Sequence, residues 1–103
     1  MEYRIIKSPS QGTLDILFRR KGSASTIPIG NYGAVGLVQG RLIDMVFAAD
    51  IAEKAAGVVV EDIKGHCPQN LIMIAIFGDT ASVEAAMKDI QYKLKESKTG
   101  EIL

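Results

Sequence analysis

Cys67 is the only cysteine of the chain and His66 its only histidine, and the two are adjacent within Gly65-His66-Cys67-Pro68-Gln69. A thiolate can act as a nucleophile or as a soft metal ligand. The nucleophile needs a base within hydrogen-bond reach and a further group to orient that base. Neighbouring residues of an extended segment point apart, and no carboxylate is spaced to orient His66, so a thiol enzyme built on this pair lacks its third member. As a ligand, Cys67 is one donor where zinc takes four, and an iron–sulfur cluster likewise takes several thiolates. One chain cannot complete either site. Two readings of the loop stay open: a free thiol in a structural turn, or a ligand that becomes useful only where several copies meet.

Other residues carry less chemistry. Gly30, Gly33 and Gly36 recur by threes but do not lead a strand into a helix, as a dinucleotide fingerprint requires. Glu61 and Asp62 are neighbours in a strand and face opposite sides. Asp44 and Asp50 share no helical face, and all four read as solvated charges. Arg19-Arg20-Lys21 suits the carboxyl end of a helix dipole rather than a phosphate patch. Lys54 ends an apolar helix and can snorkel to solvent or serve an edge contact.

The elements that position this loop follow from apolar periodicity. Tyr3 to Lys7 reads as a strand. Ser8 as N-cap, Pro9 at the first helical position and Gln11 as capping-box partner predict a helix running to Arg20. Residues 21–33 are rich in Gly, Ser, Pro and Asn and form a surface linker. Ala34 to Val38 is a strand. Arg41 to Ala56 is a helix apolar on more than one side, which suits packing against a sheet and against another subunit, with Gly57 stopping it. Val58 to Ile63 and Leu71 to Phe77 are strands joined by the Cys67 loop, the second apolar without alternation, as when both faces are covered. Asp79 or Thr80 caps a last helix, Ala81 to Lys95, with Glu84–Lys88 and Asp89–Lys93 as i,i+4 pairs. Residues 96–103 form a flexible tail. Four strands and three helices predict an α+β, ferredoxin-like domain, with helices on one face of a mainly antiparallel sheet.

Composition limits the partners. The 103 residues are 48% hydrophobic and 23% charged, with 12 basic and 12 acidic side chains. That is one globular domain, and its balanced charge predicts no nucleic-acid or membrane-surface binding. A lone cysteine forms no intrachain disulfide and fits a reducing interior. No apolar h-region follows Met1-Glu2-Tyr3-Arg4, and Leu71 to Phe77 is too short to span a bilayer, so a soluble cytoplasmic protein is expected.

The stretch from Gly33-Ala34-Val35-Gly36-Leu37-Val38 to Asp79-Thr80-Ala81-Ser82-Val83-Glu84-Ala85-Ala86 resembles the bacterial microcompartment (BMC) shell domain. The shared pattern is a glycine-bearing strand, an alanine-rich helix ending in Lys54-Ala55-Ala56, the Val58-Val59-Val60 strand, a pore loop, an apolar strand and Gly78-Asp79. Tyr3 to Lys7 and Ser8 to Arg20 precede this core, where the ordinary domain places a strand and helix after it, so the chain looks like the circularly permuted subclass. Gly65, Cys67, Pro68 and Gln69, with His66 in the variable place, resemble the pore motif of forms associated with glycyl-radical-enzyme microcompartments. The resemblance implies a non-enzymatic shell protein of a cytoplasmic microcompartment, a homo-hexamer that meets other shell proteins. Cys67 would face the pore and take part in an iron–sulfur cluster, [4Fe-4S], shared between subunits for electron transfer or redox sensing. Lys54 matches an edge lysine that contacts neighbouring hexamers. Only Met1 and Glu2 precede the first strand, so an open pore is expected. A small ligand-binding or regulatory oligomer of ferredoxin-like fold is the alternative.

Overall fold

A computed structural model describes residues 1–21, 32–55, 57–65 and 71–97. The elements are β1 Glu2–Lys7, α1 Gln11–Arg20, β2 Ala34–Arg41, α2 Leu42–Glu53, β3 Val58–Ile63, β4 Leu71–Gly78 and α3 Thr80–Ser97. The four strands form one antiparallel sheet in the order β1-β2-β4-β3. The α+β class and the antiparallel sheet agree with the sequence.

The helices do not share one face, and β4 shows why. Alternate residues Ile72, Ile74 and Ile76 pack with α2 and α3, while Met73, Ala75 and Phe77 pack with α1. A strand apolar on both sides needs cover on both. The first layer holds Met45, Ala48 and Ile51 of α2 with Val83, Met87 and Ile90 of α3. The second holds Leu14 and Leu17 of α1 with Val35, Ala75, Phe77 and Ile63. Phe18 stacks on Phe77 with ring centroids 5.7 Å apart, and Tyr32 approaches the same ring at 5.1 Å. Gly36 lets α3 lie close on β2, because a Cβ there would sit 2.6 Å from the Met87 sulfur.

Boundaries differ from the sequence reading at each helix. The N-cap of α1 is Ser10, not Ser8: the Thr13 amide donates to Ser10 Oγ at 3.2 Å. Ser8 takes φ +48 instead, and its amide donates to the Gly33 carbonyl at 2.8 Å. Helix α2 ends at Glu53, with Lys54 as C-cap, short of Ala56. The chain then turns at Gly57, whose φ of +82 glycine adopts without a Cβ clash. Strand β2 runs on to Arg41, because β4 pairs with it as far as Arg41–Leu71, whereas β1 pairs with it only to Gln39. Asp79 caps α3, accepting from the Ser82 amide at 2.8 Å and the Ser82 hydroxyl at 2.9 Å. Asp89 and Lys93 make their pair at 3.4 Å, whereas Glu84 pairs with Lys7 of β1 at 3.8 Å.

Candidate functional site

His66, Cys67, Pro68 and Gln69 lie outside the described residues, so the site is defined by its frame. The loop leaves β3 after Ile63 and re-enters the sheet at Leu71, with Ile63 paired to Met73. Its outgoing end is tied to α1: the Lys64 amide donates to the Arg20 carbonyl at 2.6 Å, and Lys21 forms a bridge with Ile63. Ile63 is buried in the α1-side core, which fixes the last residue of β3. Lys64 Nζ lies 3.1 Å from Asp62. Gly65 is solvent-exposed at the mouth of the loop.

The incoming end is held by β2, where Arg41 pairs with Leu71. Helix α2 starts at the next residue, so its first turn shares this end of the sheet with the loop. Asp44 sits in that turn, 3.9 Å from Arg41 Nε. Burial raises the pKa of the Tyr3 phenol, and the negative charge of Asp44 adds to the shift, so Tyr3 stays neutral. Between α1 and the sheet lies an open cleft of about 330 Å³, where Ile16, Leu17, Ile63 and Met73 give apolar walls and Arg20 and Lys64 cationic ones.

Lys54 occupies the other end. It closes α2 near the Gly57 turn, where Val58 pairs with Gly78. Its side chain is exposed and its Nζ lies 2.8 Å from Asp50. The structure therefore separates Gly65 and Lys54 by the length of α2, a twelve-residue helix of about 18 Å. Among the described residues no group of three or more His, Cys, Asp or Glu could hold a metal ion. No described helix is long and apolar enough to cross a membrane.

The exposed side of α2 is the site that sequence analysis placed only in outline. Leu42, Ile43, Val46 and Phe47 keep 54%, 72%, 63% and 40% of their surface. On the opposite side Met45, Ala48, Ile51 and Ala52 are buried. The tie between Arg20 and Lys64 was missed, because a backbone hydrogen bond leaves no side-chain signature.

The BMC domain model matches residues 34–102. No curated protein matches the chain. Among solved structures, the ligand-free GrpU microcompartment shell protein from Clostridiales bacterium 1_7_47FAA is 55% identical, covering 98% of this chain and 100% of its own, with a TM-score of 0.75. The GrpU microcompartment shell protein from Pectobacterium wasabiae is 39% identical, covering 87% of this chain and 99% of its own, with a TM-score of 0.71. The match opens at Ala34, yet β1 and α1 before it belong to the sheet and the core, the order that circular permutation produces. In sequence and in fold the chain belongs to the BMC-domain family, as a structural protein of a bacterial microcompartment shell.

Proposed function

We propose that the chain is a non-catalytic tile that closes into a ring of six, with the 65–69 loop of each copy facing a central pore. The observation that carries this reading is the exposed apolar side of α2, beginning at the loop end of the sheet with Leu42 and Ile43. Four large apolar residues in one stripe are more than a monomer needs to leave in water. A contact between unlike patches, repeated by rotation, closes a ring. Lys54, at the far end of α2, then lies toward the outer edge, where it would meet neighbouring rings.

The same ring makes Cys67 useful. One chain supplies one thiolate, the right donor for iron–sulfur chemistry but too few of them. Copies around an axis would supply the rest, with four of six thiolates engaged in a [4Fe-4S] cluster. When bound, such a cluster supplies one-electron transfer or redox sensing at the pore. The part played by this chain is to hold the loop base still, through the Arg20–Lys64 hydrogen bond and buried Ile63, so that each thiolate is presented alike.

Native mass spectrometry tests the ring and should find six copies; a stable monomer at micromolar concentration sinks it. Anaerobic reconstitution with iron and sulfide, read by visible absorption and electron paramagnetic resonance, tests the cluster. Cys67→Ser should lose the iron that the wild type takes up. Equal uptake by the two would end the cluster proposal while leaving the ring intact.

A further inference from the structure

We infer that the two faces meeting around the ring are the outer stripe of α2 on one copy and the cleft between β1 and α3 on the next, joined by Glu53 of the first and Lys88 of the second. This deepens the ring reading and rests on it. Helical spacing places Ile43, Val46, Phe47, Asp50 and Glu53 along one side of α2. The cleft, about 340 Å³, is lined by apolar Tyr3, Ile5 and Met87 and bordered by Arg4, Lys88 and Gln91. Helix α2 packs over β2, β4 and β3, whereas α3 reaches β1 at the opposite edge of the sheet. Each surface is thus open on a different flank of the subunit, as a head-to-tail contact requires.

Charge decides the pairing. The stripe ends in the acids Asp50 and Glu53, and the cleft is edged by the bases Arg4 and Lys88. Within the subunit Asp50 is taken by Lys54 at 2.8 Å, Arg4 by Glu2 at 3.6 Å, and Glu84 of the cleft by Lys7 at 3.8 Å. Glu53 and Lys88 have no ion pair among the described residues. Two stripes packed in parallel would set acid against acid, and packed antiparallel would set the acids of each against the apolar Ile43 end of the other. An apolar stripe followed by acids therefore selects a basic-edged apolar cleft over a second stripe.

A charge swap tests this. Glu53→Lys and Lys88→Glu, alone and together, are compared with wild type by native mass spectrometry and sedimentation across a dilution series. Circular dichroism verifies the fold, which these exposed positions leave intact. Each single reversal should raise the concentration at which rings form about fivefold to tenfold, less at high salt. The double swap should return it to within about twofold of wild type. Single variants that assemble like wild type overturn the pairing and leave the ring standing. A double swap no better than either single variant, or a wild-type assembly that stops at two copies, also overturns it. A wild type that never associates removes the ring reading itself.

Discussion

Leu14→Ala probes the layer that the sequence placed on the wrong side of the sheet. Leu14 is 2% exposed, in the α1-side core with Val35, Ala75 and Phe77. The substitution removes three carbons, worth about 2.4 kcal/mol of transfer free energy at about 0.8 kcal/mol each. A partly collapsed cavity brings the loss to about 3 kcal/mol. For a chain of 103 residues this corresponds to a fall in Tm of about 12 °C or more. Ile16 on the same helix is the control: it is 49% exposed, so Ile16→Ala should cost about 1 kcal/mol or less. Urea unfolding by far-UV circular dichroism, at protein concentrations that hold every variant in one assembly state, reads both losses. Equal costs for the two variants, or less than about 1 kcal/mol for Leu14→Ala, would refute the reasoning. Helix α1 would then be an appendage, and the second face of the sheet would be open to water.

Ser10→Ala should lose about 1 kcal/mol of cap energy, whereas Ser8→Gly should gain about 0.5–1 kcal/mol by relieving a positive φ; urea midpoints that rank the other way would return the cap to Ser8. The pKa of Asp79 is held below its ordinary value by the Ser82 amide and hydroxyl. A lowered folded pKa adds stability above the unfolded value, and that stability is lost as pH falls through the folded one. The advantage of wild type over Asp79→Ala should therefore be full at neutral pH and shrink below about pH 4. A constant difference between their denaturation midpoints across that range would remove the carboxylate from the cap.

Much of the fold was legible because periodicity reports burial. The unbroken apolar run Leu71 to Phe77 announced a strand covered on both faces, and Leu14, Leu17 and Phe18 stand at the spacing of one helical side, the side that α1 buries. Nothing in either pattern says which sheet face α1 crosses to. That choice is made by the register of β2, where Val35 and Leu37 pack toward α1 while Ala34 and Val38 pack toward α2 and α3. The sequence places the cap of α1 at Ser8, where Pro9 and Gln11 follow in capping-box order, although Ser10 stands at the same distance from Thr13. The backbone moves it to Ser10 by turning at Ser8 first. At the site, the sequence marked the loop and the apolar helix, since both are statements about residue type. The hydrogen bond that braces the loop is made by main-chain atoms, which any residues at Arg20 and Lys64 would offer.

The hydrogen bond from Ser8 to Gly33 gives the β1–β2 pair an unusual kind of connection. The chain leaves the sheet at Ser8, builds α1 on the far face, and comes back to bond the residue it left. In topology the pair is a hairpin whose connection holds a helix. Once the two strand ends are fixed by pairing, lengthening the stretch between α1 and β2 costs only the slow growth of loop entropy, about 0.6 kcal/mol for a doubling. Sequence inserted between α1 and β2, such as a peptide tag, is thus expected to leave the β1–β2 pairing and the α1 layer in place.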